Sequence, residues 1–144
     1  MRAAGNPFGQ YLIPMSNPFE NAPVIYAYTR KQALADGFQI EITETAKEAG
    51  IRFRVFLNRT VFDRCVAVPE GVAGQDEQGR LWDVLWMLKN AILRAAPGVD
   101  EVAYVVLVRN DNTRARPVQL VAKVGAVDID DPTPAITIMF PGED

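Results

Sequence analysis

Residues 79–96 read Gly79-Arg80-Leu81-Trp82-Asp83-Val84-Leu85-Trp86-Met87-Leu88-Lys89-Asn90-Ala91-Ile92-Leu93-Arg94-Ala95-Ala96, the longest run in the chain with helical periodicity. It holds both tryptophans. On a 3.6-residue period, Leu81, Val84, Leu85, Leu88, Ile92 and Ala95 fall on one apolar face. Trp82, Trp86 and Leu93 form a second stripe, about 100° further round the same period. The remaining polar strip is narrow: Arg80, Asp83, Asn90 and Arg94, with Met87 among them. A helix with so little polar surface must be covered on more than one side. The run therefore predicts a long helix lying across a sheet, with an aromatic stripe left for a further cover.

Downstream, Pro97-Gly98 stops the helix, and residues 102–108 are apolar at every position, which predicts a central strand buried on both faces. Residues 110–116 make a hairpin tip. Residues 118–124 return with Leu120, Ala122 and Val124 on one face, a second loop spans 128–134, and a last strand runs over 135–140. Upstream, residues 69–78 form a Gly-rich acidic loop. Before it, Thr60 with Asp63 reads as the cap of a short helix carrying Val61, Phe62, Cys65 and Val66. Ile51, Phe53, Val55 and Leu57 alternate with Arg52, Arg54 and Phe56, as a third strand or an extended segment feeding the next helix, with Phe53 assigned to the core. Thr43 or Thr45 opens a helix that Gly50 stops, and Phe38, Ile40 and Ile42 alternate as a half-buried strand. Thr29 with Gln32 has capping-box spacing, and Gly37 follows as the breaker. Residues 24–28 make a short strand that puts Tyr26 and Tyr28 on one side. Residues 1–23, with two Asn-Pro-Phe triplets and further prolines, read as an extended arm. Met15 offers an alternative start, which would make residues 1–14 dispensable. The expectation is a Pro-rich arm (1–23) followed by one α+β domain (24–144). That domain has a mostly antiparallel sheet ending in a three-stranded meander, one long helix across it, and two or three short helices.

Composition narrows the chemistry. There is no histidine, so Ser-His-Asp and Cys-His machinery and histidine-ligated metals are excluded within the chain. A single cysteine, Cys65, cannot form an internal disulfide, which fits a reducing cytoplasm. A net charge of −3 provides no electrostatic footprint for nucleic acid. No apolar run is long enough to span a membrane. Asp128, Asp130 and Asp131 alternate as a calcium loop opens, but the turn glycine and the closing glutamate are missing, so a solvated loop is the better reading. Cys65 has no base to activate it and reads as an inert thiol. No catalytic, metal-binding or cofactor-binding residues are expected.

Three stretches in order, 28–37 (Tyr-Thr-Arg-Lys-Gln-Ala-Leu-Ala-Asp-Gly), 79–86 and 137–144 (Thr-Ile-Met-Phe-Pro-Gly-Glu-Asp), resemble a family of small proteins of unknown function encoded on bacterial plasmids, integrative elements and phages. The likeness runs from about Val24 to the C-terminus. It implies a cytoplasmic accessory protein of a mobile element in a bacterial host, and carries over no site residues. Together with the missing catalytic vocabulary, this predicts a non-enzymatic protein that binds a host-defence component (anti-CRISPR or anti-restriction) or another copy of itself. Trp82, Trp86, Leu93, Arg80 and Asp83 are the expected partner surface. A second reading is a small-ligand- or nucleotide-binding enzyme in which Arg30 or Arg80 holds an anion and Asp36, Asp83 or Glu143 acts as acid or base. A third is nucleic-acid binding through Arg52, Arg54, Arg59 and Arg64, or through Arg109, Arg114 and Arg116.

Overall fold

The computed structural model describes residues 28–143, so the predicted arm, the strand at 24–27 and Tyr26 lie outside the described residues. The elements are α1 (Arg30–Ala35), β1 (Gln39–Glu41), α2 (Thr43–Glu48), β2 (Arg54–Asn58), α3 (Arg59–Val61), α4 (Glu77–Arg94), β3 (Glu101–Val108), β4 (Arg116–Asp128) and β5 (Asp131–Met139). Helix α3 runs on through one π-helical turn, Phe62–Val66. The strands form one sheet in the order β1-β2-β5-β4-β3, antiparallel except for the parallel pair β2–β5. This is the expected α+β domain with its C-terminal meander.

Alternation along the strands decides the two faces. Val55, Leu57, Ile136, Ile138, Leu120, Ala122, Tyr104 and Val106 all point to one side. There Val84, Leu85 and Leu88 of α4 close the main core, with Ala46 of α2 and Val61, Cys65 and Val66 beside them. The opposite side carries a small second cluster, Phe56, Val127 and Ala135, against which Leu34 of α1 packs. The capping box at Thr29 and Gln32 forms as its spacing predicts.

Four local expectations are corrected. Residues 102–108 are an edge strand, with Val105 and Leu107 exposed on the open face; the strand in the middle is β5. Phe53 is exposed, whereas Phe56, on the arginine side of β2, is fully buried because α1 and Val127 come over it. Thr60 does not cap α3: its hydroxyl donates to Glu143, 2.7 Å away. The loop expected over 128–134 is mostly strand, since β4 reaches Asp128 and β5 starts at Asp131. Pro132 and Pro134 are tolerated there because β2 pairs with β5 only from Ala135 onward. That leaves β5 with an unpaired side toward which a missing N–H can face.

Candidate functional site

Three arrangements carry the residues singled out by the sequence. The first is the outer side of α4. Trp82 and Trp86, one turn apart, stack with centroids 6.0 Å apart and planes at 13°. The Lys89 ammonium lies 5.4 Å from the Trp86 ring centroid. Trp86 is 45% exposed and Leu93 is 73% exposed, and Ile92, on the stripe the helical period assigns to the core, is exposed as well. Trp82 is half-buried against the core. Lys89 crosses over Gly50, whose left-handed backbone (φ +91°) ends the α2 segment; a Cβ there would collide with the Lys89 amine.

The second arrangement centres on Arg80. The sequence puts it on the polar strip of α4, but it is only 6% exposed. All five guanidinium N–H groups are used. Nε donates to the Cys65 carbonyl (3.1 Å), Nη1 to Arg109 O (2.8 Å) and Gln75 Oε1 (3.1 Å), and Nη2 to Arg64 O (3.2 Å) and Asn110 Oδ1 (2.6 Å). Arg64 and Cys65 stand at the end of the π-helical turn, where carbonyls have no helical N–H to accept from. Arg80 supplies those donors and ties this turn to the α4 entry loop and the β3–β4 hairpin. The expected surface pair with Asp83 is absent from the ion pairs among the described residues. Asp83 stays exposed, its carboxyl raised by partial burial against the opposing pull of Arg80. Cys65 is buried, which pushes its thiol pKa up, as expected for an inert thiol.

The third is a cleft of about 570 Å³ on the open face of the sheet, bounded by Tyr28, Phe38, Asn58, Thr60, Ile129 and Glu143, with Arg30 in its wall. The Arg30 guanidinium lies 3.9 Å over the Phe56 ring. It donates from Nε to Val127 O, from Nη1 to Gln39 Oε1 (2.9 Å) and from Nη2 to Thr137 Oγ1 (3.0 Å). Two of its five donors have no protein acceptor among the described residues. Asp128, 98 residues away in sequence, accepts the Arg30 and Lys31 amides at 3.1 and 2.9 Å and pins the start of α1 to the β4–β5 turn. Glu143 accepts from Phe140 N (2.8 Å), Asn58 Nδ2 (3.2 Å) and Thr60 Oγ1 (2.7 Å). Burial pushes its pKa up, but these hydrogen bonds outweigh that and hold it below the ordinary glutamate range. Tyr28 donates to Asp36 at 2.6 Å, and that bond raises the phenol pKa to about 12.

The structure therefore brings Arg30 and Glu143 to one cleft and leaves Arg80 and Asp83 across the sheet beside α4. The acids of the second reading do not converge: Asp36 is held by Tyr28, Glu143 by three donors, and Asp83 sits on a different face. The arginine clusters are partly neutralised, Arg54 by Glu41, Arg59 by Asp63 and Arg116 by Asp111. Sequence reasoning missed Asp128 as the anchor of α1 and Phe56 as the platform for Arg30. Neither has a local pattern that would reveal it, since both roles depend on partners distant in sequence.

The fold is that of a small α+β protein, a mixed five-stranded sheet with one long helix on its core face. The chain belongs to a family of unknown function, DUF6573, whose model matches residues 15–144, further toward the N-terminus than the resemblance from Val24. No curated protein and no solved structure matches the chain.

Proposed function

We propose that this chain is a non-enzymatic accessory protein of a bacterial mobile genetic element that acts by binding a protein of host defence, of the CRISPR or restriction type. The observation that carries the binding role is the stacked Trp82–Trp86 pair with Leu93 on the outer side of α4. An exposed tryptophan flanked by aliphatic side chains on a rigid helix has the composition of an interface anchor, and contiguous apolar surface of this kind is rarely left uncovered. The mobile-element origin rests on the family resemblance. The test is Trp86→Ala with Leu93→Asp in an affinity capture from bacterial host lysate. Loss of a specific host-defence partner with an unchanged circular dichroism spectrum supports the proposal. Undiminished capture, or a purified protein with turnover that depends on Asp83 or Arg80, removes it.

A second reading is favoured by the uncommitted Arg30 donors in the open-face cleft: this cleft takes a small anion such as a phosphate group. Titration with inorganic phosphate, followed by amide shifts around Arg30 and repeated on Arg30→Ala, decides it.

A further inference from the structure

Strand β3 is eight residues long, and its seven residues from Val102 to Val108 include no charge, proline or glycine. It stands at the end of the sheet, and among the described residues nothing pairs with its outer side. Edge strands in monomeric proteins are ordinarily blunted by charges, prolines or bulges, because a bare edge recruits another strand. Beyond Glu101 at its start the strand carries none of these devices, and its open-face side chains, Val105 and the 63%-exposed Leu107, are apolar.

The charges flanking this edge are arranged for a copy of the same chain. Helix α4 runs antiparallel to β3. A hollow beside the strand's C-terminal end is shared by Asp83 with Leu107 and Arg109, and another beside its N-terminal end is shared by Arg94 with Glu101 and Ala103. Asp83 and Arg94 make no ion pair among the described residues, whereas Arg109 is held by the carbonyls of Asp111 and Ala73 and by Asn112, and Glu101 pairs with Lys123 at 3.9 Å. From this we infer that the protein forms a two-fold dimer by antiparallel pairing of β3 with β3 of a second copy, with Val105 on the axis.

In that register Ala103 opposes the partner's Leu107. The helices flank the joined edges with Asp83 of each copy directed toward Arg94 of the other. Every second residue of β3 presents its N–H and C=O outward, so alternate residues exchange hydrogen bonds across the axis. The two five-stranded sheets become one of ten strands, and the bare edge disappears. The symmetry is isologous, so each favourable pair occurs twice. The surface is separate from the Trp86 stripe, which stays available to a different protein.

The test is sedimentation velocity of the full chain across concentration. A dimer is expected, and a monomer at about 100 μM overturns the inference. Val105→Lys places two like charges opposite each other on the axis and should weaken self-association by about a hundredfold. Its side chain is already half in solvent, so circular dichroism should be unchanged. If that variant fails to fold, Arg94→Asp on the helix end gives the same reading. Asp83→Arg and Arg94→Asp should each weaken the dimer, and the double reversal should restore it. Dimerisation that ignores these changes, or a double reversal that does not rescue, overturns the proposed pairing. Trp86→Ala should leave self-association unchanged, which keeps this result distinct from that of partner capture.

Discussion

Arg80 and Arg30 make an instructive pair. Both are guanidinium groups that satisfy oxygens of distant segments, and neither forms an ion pair among the described residues. Arg80 is enclosed and has no donor left over, so its chemistry is spent on holding three connections together. Arg30 is half-exposed, lies on Phe56 in the wall of a cleft, and keeps two donors with no protein acceptor among the described residues. The same side chain is fully consumed as a fastener in one place and only partly consumed in the other. The difference comes from how much of the fork the chain's own carbonyls consume.

The harshest way to break this comparison is to remove the enclosed group. Arg80→Ala strands the buried Cys65 carbonyl and takes a donor from the carbonyls of Arg109 and Arg64, the latter keeping only Asn110 Nδ2, and a loss of about 4 kcal/mol or failure to fold is expected. Arg80→Lys should rescue little, because an ammonium cannot match a five-donor fork. Urea unfolding followed by tryptophan fluorescence measures both. Arg30→Ala removes a ring contact and three hydrogen bonds at a half-exposed site, so a smaller cost of about 1–2 kcal/mol is expected by the same measurement. Equal losses for the two variants would collapse the distinction.

The acid limb sharpens it further. Glu143 is held below the ordinary glutamate range by its donors, and Asp111 is held well below its own range, first by Arg116 and then by two backbone amides. A carboxylate with a depressed folded pKa adds stability that is present above its unfolded value and disappears as pH falls. Stability should therefore decline from about pH 4.5 downward, starting near the free glutamate pKa. Glu143→Gln should flatten part of that decline in denaturant midpoints measured between neutral and acidic pH, and it does so from the cleft side alone.

The sequence carried the fold class because that depends on periodicity. The long helix, the meander and the capping box at Thr29 follow from spacing that any solvent-separated core imposes. Local grammar failed where burial was decided by a neighbour remote in sequence. Alternation put Phe56 among the arginines, correctly as to side. It could not foresee that α1 and Val127 would cover that side, nor that Phe53 would be left outside. Residues 102–108 read as a central strand because apolar side chains on both faces ordinarily mark burial on both, yet Val105 and Leu107 stand exposed on an edge strand. The site was legible only in part. The Trp82–Trp86 stripe followed from the helical period, and Arg30 was a candidate anion contact, but nothing local indicated that Arg80 would be enclosed.

What the sequence determined by itself was the long helix, the C-terminal meander, the absence of imidazole chemistry, and an aromatic stripe on one helix. These are short-range properties of side chains at fixed intervals. The tertiary structure alone decided strand order, with β5 at the centre, β3 at the edge, and the β2–β5 parallel pair that no hairpin could encode. It also decided which arginine would be enclosed, because a guanidinium bonds to whatever carbonyls are brought within about 3 Å, and only the folded chain brings them there.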